Sequence, residues 1–205
     1  MVQAALLLAD AQGIDALSMR KLAKELGCEA MSLYNLVANK EDLLDAMVEV
    51  VFSEMEAPAP GAEWKSALRK RAVSAHCVLL RHPWATLLVV SRVNVGPSAL
   101  RYLDATLGCL RAAGFSYELA DRAWNALDSH VFGFTLQELK FPFAPEEYAE
   151  AAASYLPQLS SSTHPYLHEL TRLVSEGRHR GVQDFEFGLE LLLEGFEALR
   201  ARAEP

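Results

Sequence analysis

Residues 17–47, L-S-M-R-K-L-A-K-E-L-G-C-E-A-M-S-L-Y-N-L-V-A-N-K-E-D-L-L-D-A-M, place a helix-starting serine, a helix-ending glycine and a helix-starting asparagine in close succession. Ser18 stands just before the apolar positions Leu22, Ala23 and Leu26, where its hydroxyl can accept a first-turn amide. Leu17 and Leu22 flank it at the two positions of a hydrophobic staple, although Lys21 occupies the place where a capping box holds Glu. Gly27 suits the left-handed conformation that closes a helix. A short helix is expected from Ala30 to Val37. Asn39 then caps a longer one that opens Lys-Glu-Asp, with two acids where the helix dipole favours them. Two short helices joined by a glycine turn, followed by a long helix, form a helix-turn-helix frame.

The remainder is also helical in period, with no apolar/polar alternation long enough for a sheet. Met1–Gln12 forms one helix, stopped by Gly13. After Met55, A-P-A-P-G-A-E interrupts the pattern. Helices are expected over 63–80, 83–92, 97–113, 116–139, 145–155, 164–178 and 184–202. F-P-F-A-P at 141–145 and S-S-S-T-H-P at 160–165 bracket a region expected to be a mobile connection. The fold class is all-α. The division expected is a small domain over 1–45, with the helix 40–55 as connector, and a larger one over 46–205.

A chain of 205 residues with 51% apolar and 22% charged side chains can bury a real core. No apolar run reaches the roughly 18–20 residues of a membrane span, and M-V-Q-A-A-L-L-L-A-D-A-Q-G has no basic n-region or cleavage pattern. Cys28, Cys77 and Cys109 are odd in number and scattered, so reduced thiols and a cytoplasmic location are expected.

The net charge of −8 argues against nucleic acid, and residues 1–45 hold seven acidic and four basic side chains. What matters, however, is the charge of the contacting face. A major groove admits one helix end with small or polar side chains, and A-M-S-L-Y-N offers one. Packed helices of any helical protein give the same local pattern. An enzyme is not expected. His164 and His168 stand four apart without HExxH, CxxC or a third ligand, and no Gly-rich loop or GxSxG occurs. Neither a metal nor another cofactor is expected.

A-L-L-L-A-D-A-Q-G-I-D-A-L-S-M-R-K-L-A-K-E-L-G-C-E-A-M-S-L-Y-N-L-V-A-N-K-E-D-L-L-D resembles the DNA-binding head of TetR-family transcriptional regulators. G-A-E-W-K-S-A-L-R, L-L-R-H-P-W, G-P-S-A-L-R, A-A-G-F-S and F-E-F-G-L-E-L-L-L-E-G are similar to the effector-binding and dimerisation domain of its tetracycline-repressor branch. The resemblance implies a homodimeric, ligand-released repressor of palindromic operator DNA. Ala30, Met31 and Ser32 would face the groove, Tyr34 and Lys40 would approach phosphates, Arg20 and Lys21 would contact the DNA backbone, and Asn35 would reach a base edge. Three departures imply fewer phosphate contacts and a steep salt dependence. Glu29 replaces the usual Ser or Thr, Asn35 and Leu36 replace basic, aromatic or histidine residues, and the usual basic residues before the first helix are missing.

The resemblance also implies an effector cavity among the helices after residue 63, with Arg71, Ala75, Trp84, Val89, Thr106, Trp124, Phe134 and Gln137 as its expected lining. For most large apolar residues there, core packing is the plain alternative. Val89 and Gln137 stand where tetracycline repressors place metal- or water-holding groups, so a magnesium–drug chelate is a poor fit. The last helix carries Leu189, Leu192, Leu193 and Phe196 in an apolar stripe, with Gly188 and Gly195 two turns apart. By the same resemblance these form a dimer interface; packing within one chain is the alternative.

Overall fold

A computed structural model describes residues 1–179 and 184–203, and every described element is a helix or turn. The helices are α1 (Val2–Gln12), α2 (Met19–Glu25), α3 (Ala30–Leu33), α4 (Lys40–Glu54), α5 (Trp64–Arg81), α6 (Ala85–Ser91), α7 (Pro97–Ala112), α8 (Tyr117–Lys140), α9 (Tyr148–Tyr155), α10 (Pro165–Ser175) and α11 (Phe185–Ala203). The chain divides into two compact units, Met1–Leu136 with Glu186–Pro205, and Gln137–Phe185.

In the first unit, α4 is the element the others share: it packs against α1, α5, α6 and α7. Its apolar positions explain this. Leu43, Met47 and Val51 are completely buried at four-residue spacing, and Leu44, Val48 and Phe52 widen the stripe. The helix packs on α1, whose Leu6 is buried, and Phe52 tilts onto Tyr102 of α7 with centroids 5.7 Å apart. The A-P-A-P-G-A turn ends at Glu63, whose carboxylate accepts the amides of Lys65 and Ser66 at 2.9 and 2.8 Å and starts α5. Pro97 fits the first position of α7, where no intrahelical donor is needed. Trp64 meets Phe115 edge-on at 5.1 Å, fixing the start of α5 against the α7–α8 turn.

In the second unit the helices expected over 145–155 and 164–178 are present as α9 and α10. A short turn at Pro145–Glu147, α9, a turn at Leu156–Gln158 and α10 fill it, and α9 packs on α10. Glu147 accepts the Ala144 amide at 2.8 Å, and Phe141 meets Tyr148 edge-on at 5.1 Å. Proline stands in the first turn of the Pro145–Glu147 segment, of the Leu156–Gln158 turn and of α10, where its missing amide costs no intrahelical bond.

Candidate functional site

The α2–α3 corner is built as the local residues dictate. Ser18 Oγ accepts the Lys21 amide at 3.2 Å, and Leu17 and Leu22 are both buried. Gly27 adopts φ 66°, with its amide bonded to the Lys24 carbonyl and that of Cys28 to the Ala23 carbonyl. These two bonds form a Schellman closure, which needs the left-handed residue. The chain turns sharply and Leu33 anchors α3 to the core at 2% exposure.

α3 itself is shorter than the expected Ala30–Val37 segment. Only Ala30–Leu33 is α-helical; Tyr34, Asn35 and Leu36 continue as tighter turns, bonded three residues back to Met31, Ser32 and Leu33. Glu29 makes no capping bond, so nothing at its start holds a longer helix. The outward side presents Met31, Ser32, Tyr34 and Asn35, with Met31 75% exposed and Tyr34 44%. Ala30 is half-buried. Arg20 is exposed, whereas Lys21 is half-buried and donates its ammonium to Gln12. Asn39 accepts the Asp42 amide at 2.9 Å and so starts α4 beside half-buried Lys40.

The acidity of the head is largely committed to other contacts. Of its seven acids, Asp10 accepts from Trp84 at 2.6 Å and meets His82 at 2.8 Å. Glu41 and Asp45 are both held by Arg92, and Asp42 accepts the Ala38 amide at 3.1 Å. The charge count alone therefore overstates the negative field a polyanion would meet.

Several of these bonds also tie the head to the helices behind it. Glu49 of α4 accepts the Ser98 and Ala99 amides at the start of α7, at 2.5 and 3.3 Å. Burial pushes its carboxyl up, but the hydrogen bonds from Ser98 and Ala99 and the charge of Arg101 outweigh this and hold it below its ordinary value. A Cβ at Gly96 would push the Glu49 carboxylate aside, so glycine here leaves room for those bonds. Glu54 joins Arg81 at 2.7 Å and His82 at 3.3 Å. Sequence reasoning missed Asp10, Glu49, His82 and Arg92 as a junction, because their partners lie 28–74 residues away.

Behind the junction, Arg71 is buried to 1% exposure among three helices. Its Nε donates to Thr106 Oγ1 at 2.8 Å and its Nη1 to Asp128 Oδ1 at 2.7 Å, while the guanidinium lies 4.4 Å over the Tyr102 ring. Burial lifts the Tyr102 hydroxyl to about 12 despite the nearby Arg71 charge. Trp124 donates to the other Asp128 oxygen at 2.5 Å. Farther along α5, His76 Nδ1 lies 2.8 Å from Thr135 Oγ1 and its ring meets Phe134 edge-on at 5.9 Å. Thr135 gives its proton to the Val131 carbonyl, so His76 is the donor in that bond.

The expected effector residues thus separate. Arg71 and Trp124 converge on Asp128, Thr106 accepts from Arg71, and Phe134 meets His76 and His130. Trp84 does not join them: its indole is buried at the head junction, on Asp10. Ala75 and Val89 are buried at 2% and 5% exposure, and the Val89 carbonyl accepts Asn94 at 2.8 Å. Gln137 is exposed and belongs to the other compact unit. Open cavities among the described residues lie elsewhere, and two of them are near α4 and α7. One, of about 310 Å³, is between α4 and the Val93–Gly96 loop; the other, of about 580 Å³, is between Ala57–Ala62 and α7.

The expected dimer residues require a correction. Leu189, Leu193 and Phe196 are buried within the single chain, the first two completely, and Leu192 is half-buried. The stripe on α11 spans more than one face, and its inner part fills the chain's own core. Its outer side instead carries Phe187, Leu191 and Leu199, exposed by 64%, 57% and 47%. Gly188 lies so close to His130 of α8 that a Cβ would strike the imidazole, the packing reason for a glycine inside this helix.

Comparison with known proteins covers both parts. Residues 2–47 match the family model for bacterial regulatory proteins of the tetR family, and residues 57–200 that for the tetracyclin repressor-like C-terminal domain. The HTH-type transcriptional repressor DrrR1 of Streptomyces coeruleorubidus is 32% identical, over 98% of this chain and 77% of that protein. The class D tetracycline repressor protein of Escherichia coli is also 32% identical, over 96% of this chain and 87% of that one. Among solved structures, Streptomyces coelicolor ActR in complex with actinorhodin superposes with a TM-score of 0.80 at 32% identity, covering 97% of this chain and 95% of that one.

Proposed function

The chain belongs to the TetR family of bacterial regulators, with a tetracycline-repressor-like C-terminal domain, and we propose that it acts as a cytoplasmic homodimeric repressor released from palindromic operator DNA by a small molecule. Residues 1–45 form the DNA-reading domain and 46–205 the effector and dimerisation domain. The observation that carries this reading is the outward corner after Gly27, with Met31, Ser32, Tyr34 and Asn35 exposed while Leu33 alone is anchored. Such an edge suits base contacts by Ala30, Met31, Ser32 and Asn35 and phosphate contacts by Arg20, Tyr34 and Lys40. Lys21 contributes less, because Gln12 already holds it. Pairing through the outer side of α11, around Leu191 and Leu199, supplies the second head for a half-site one helical turn away. Among the described residues no single helix is long and apolar enough to cross a membrane.

The route from ligand to DNA runs along α7. Thr106 on α7 holds Arg71, and the start of the same helix is held by Glu49 of α4. A molecule that displaces α7 therefore tilts α4, and the head with it. The ligand achieves this only through its preference for the tilted state, typically about 1–3 kcal/mol.

Binding to the chain's own upstream DNA, followed by fluorescence anisotropy across a salt titration, tests the reading. A protected palindrome, steep salt dependence and equal reciprocal weakening of DNA and effector binding are expected. No protected site at low salt would leave a helical ligand-binding dimer without DNA recognition.

A further inference from the structure

His82 sits at the corner between α5 and α6, only 8% exposed, with a carboxylate at each ring nitrogen. Nδ1 lies 2.8 Å from Asp10 Oδ1 on α1, and Nε2 lies 3.3 Å from Glu54 Oε2 at the end of α4. A neutral imidazole has one N–H and one bare lone pair, so it can satisfy one of these carboxylates and must oppose the other. Only the protonated ring donates to both.

The other groups at the corner are also donors. Trp84 Nε1 gives its proton to the same Asp10 oxygen at 2.6 Å, and Arg81 Nη2 to the same Glu54 oxygen at 2.7 Å. Asp10, Glu54 and Arg81 are the charged groups that these contacts bring to the ring from α1, α4 and α5. α1 has no charged side chain besides Asp10, and α6 has none. Both carboxylates stand on helices that carry the head, since α1 belongs to it and α4 connects it. His82 thus ties two moving parts to the corner behind them.

We propose that His82 is a proton-operated latch on the head. Imidazole is the side chain whose charge ordinarily changes between about pH 5 and 8. Toward the acid end, the ring donates to Asp10 and Glu54 together and braces α1 and α4. As pH rises, Nε2 gives its proton to solvent while Nδ1 keeps the shorter bond to Asp10. The bare Nε2 lone pair then opposes Glu54, which Arg81 alone retains, and the end of α4 is freer to move. For DNA the consequence rests on the repressor reading: a loosened head must be ordered again on binding, so operator affinity falls.

The test compares the full natural chain with His82→Gln, which cannot titrate, and Glu54→Gln, which leaves Arg81 an acceptor without the charge. In ¹⁵N-histidine NMR, the signals that His82→Gln removes should show two protonated nitrogens in acid and one at the alkaline end. Protection of amides in α1 and the last turn of α4 should fall about threefold to tenfold across that range, the contribution of one hydrogen bond. It should stay level in His82→Gln and fall less in Glu54→Gln. Operator anisotropy should show the natural chain losing affinity with pH relative to His82→Gln by a similar factor. One protonated nitrogen at every pH, equal pH dependence of protection in the natural chain and His82→Gln, or a fall that Glu54→Gln leaves unchanged overturns the latch. Equal pH dependence of operator affinity in the two chains overturns its control of the head. No operator binding at any pH would sink the repressor reading instead, and leave the latch to be judged by the NMR and exchange results.

Discussion

The α2–α3 corner and the Arg71 group solve the same problem, satisfying polar groups in a tight space, by opposite means. At the corner every key bond is local: Ser18 to Lys21, Gly27 to Lys24, Cys28 to Ala23, Asn39 to Asp42. At Arg71 every bond is remote, to Thr106 and Asp128, 35 and 57 residues away. The corner leaves its side chains outside, where water shares the cost of polarity. The interior group excludes water, so each partner becomes indispensable. Mutations should therefore act steeply in the interior and shallowly at the corner, while DNA binding should respond in the reverse order.

The largest expected effect tests the interior. Asp128→Ala leaves Arg71 charged and uncompensated, at a cost of roughly 3–5 kcal/mol in stability, measurable by urea denaturation. Asp128→Asn keeps one acceptor oxygen, for Arg71 or for Trp124 but not for both where they stand, and should cost less than Asp128→Ala. If both variants lose under about 1 kcal/mol, the size of a typical exposed pair, the contrast between regions collapses.

Next comes Gly27→Ala. Nothing lies within 4 Å of the added methyl, so the penalty comes from φ 66° alone and should be about 1–2 kcal/mol. Because the turn aims α3, operator affinity should fall further than the stability loss explains. Anisotropy well below the unfolding temperature separates the two. Ser18→Ala should cost about 1 kcal/mol through the lost cap. It sharpens the comparison, since its effect should stay local and leave effector binding unchanged.

These two regions also differ in how much of them the sequence reveals. Helix positions follow from period and capping residues: α5, α7, α8 and α11 lie within two residues of where Glu63, Pro97, Ser116 and the stripe from Phe185 put them. The corner follows from Ser18, Gly27 and Asn39. What stays hidden is which face of a broad stripe turns inward, as on α11, and which distant acid meets which base. Nothing near Arg71 in the chain announces Asp128, and nothing near Asp10 announces Trp84. The early end of α3 is not legible: the expected helix runs from Ala30 to Val37, and the observed one stops at Leu33. Its tighter turns at Tyr34–Leu36 depend on Leu33 being held in the core.

The junction between the regions yields the smallest effect. Glu49 has a folded-state pKa below its ordinary 4.5, since the bonds from the start of α7 outweigh burial. Its contribution is thus complete above the unfolded value and disappears as pH falls through the depressed one. Across that acid window, the natural chain should lose stability more steeply than Glu49→Gln, which keeps one acceptor but cannot titrate. Urea midpoints taken from pH 6 downward compare the two slopes. Since Glu49 joins α4 to α7, Glu49→Gln should also weaken the reciprocal coupling between effector and DNA at neutral pH, with each separate affinity less affected. Coupling that survives this substitution intact would move the route from effector to head away from α7 and toward the contacts of Arg92 with Glu41 and Asp45.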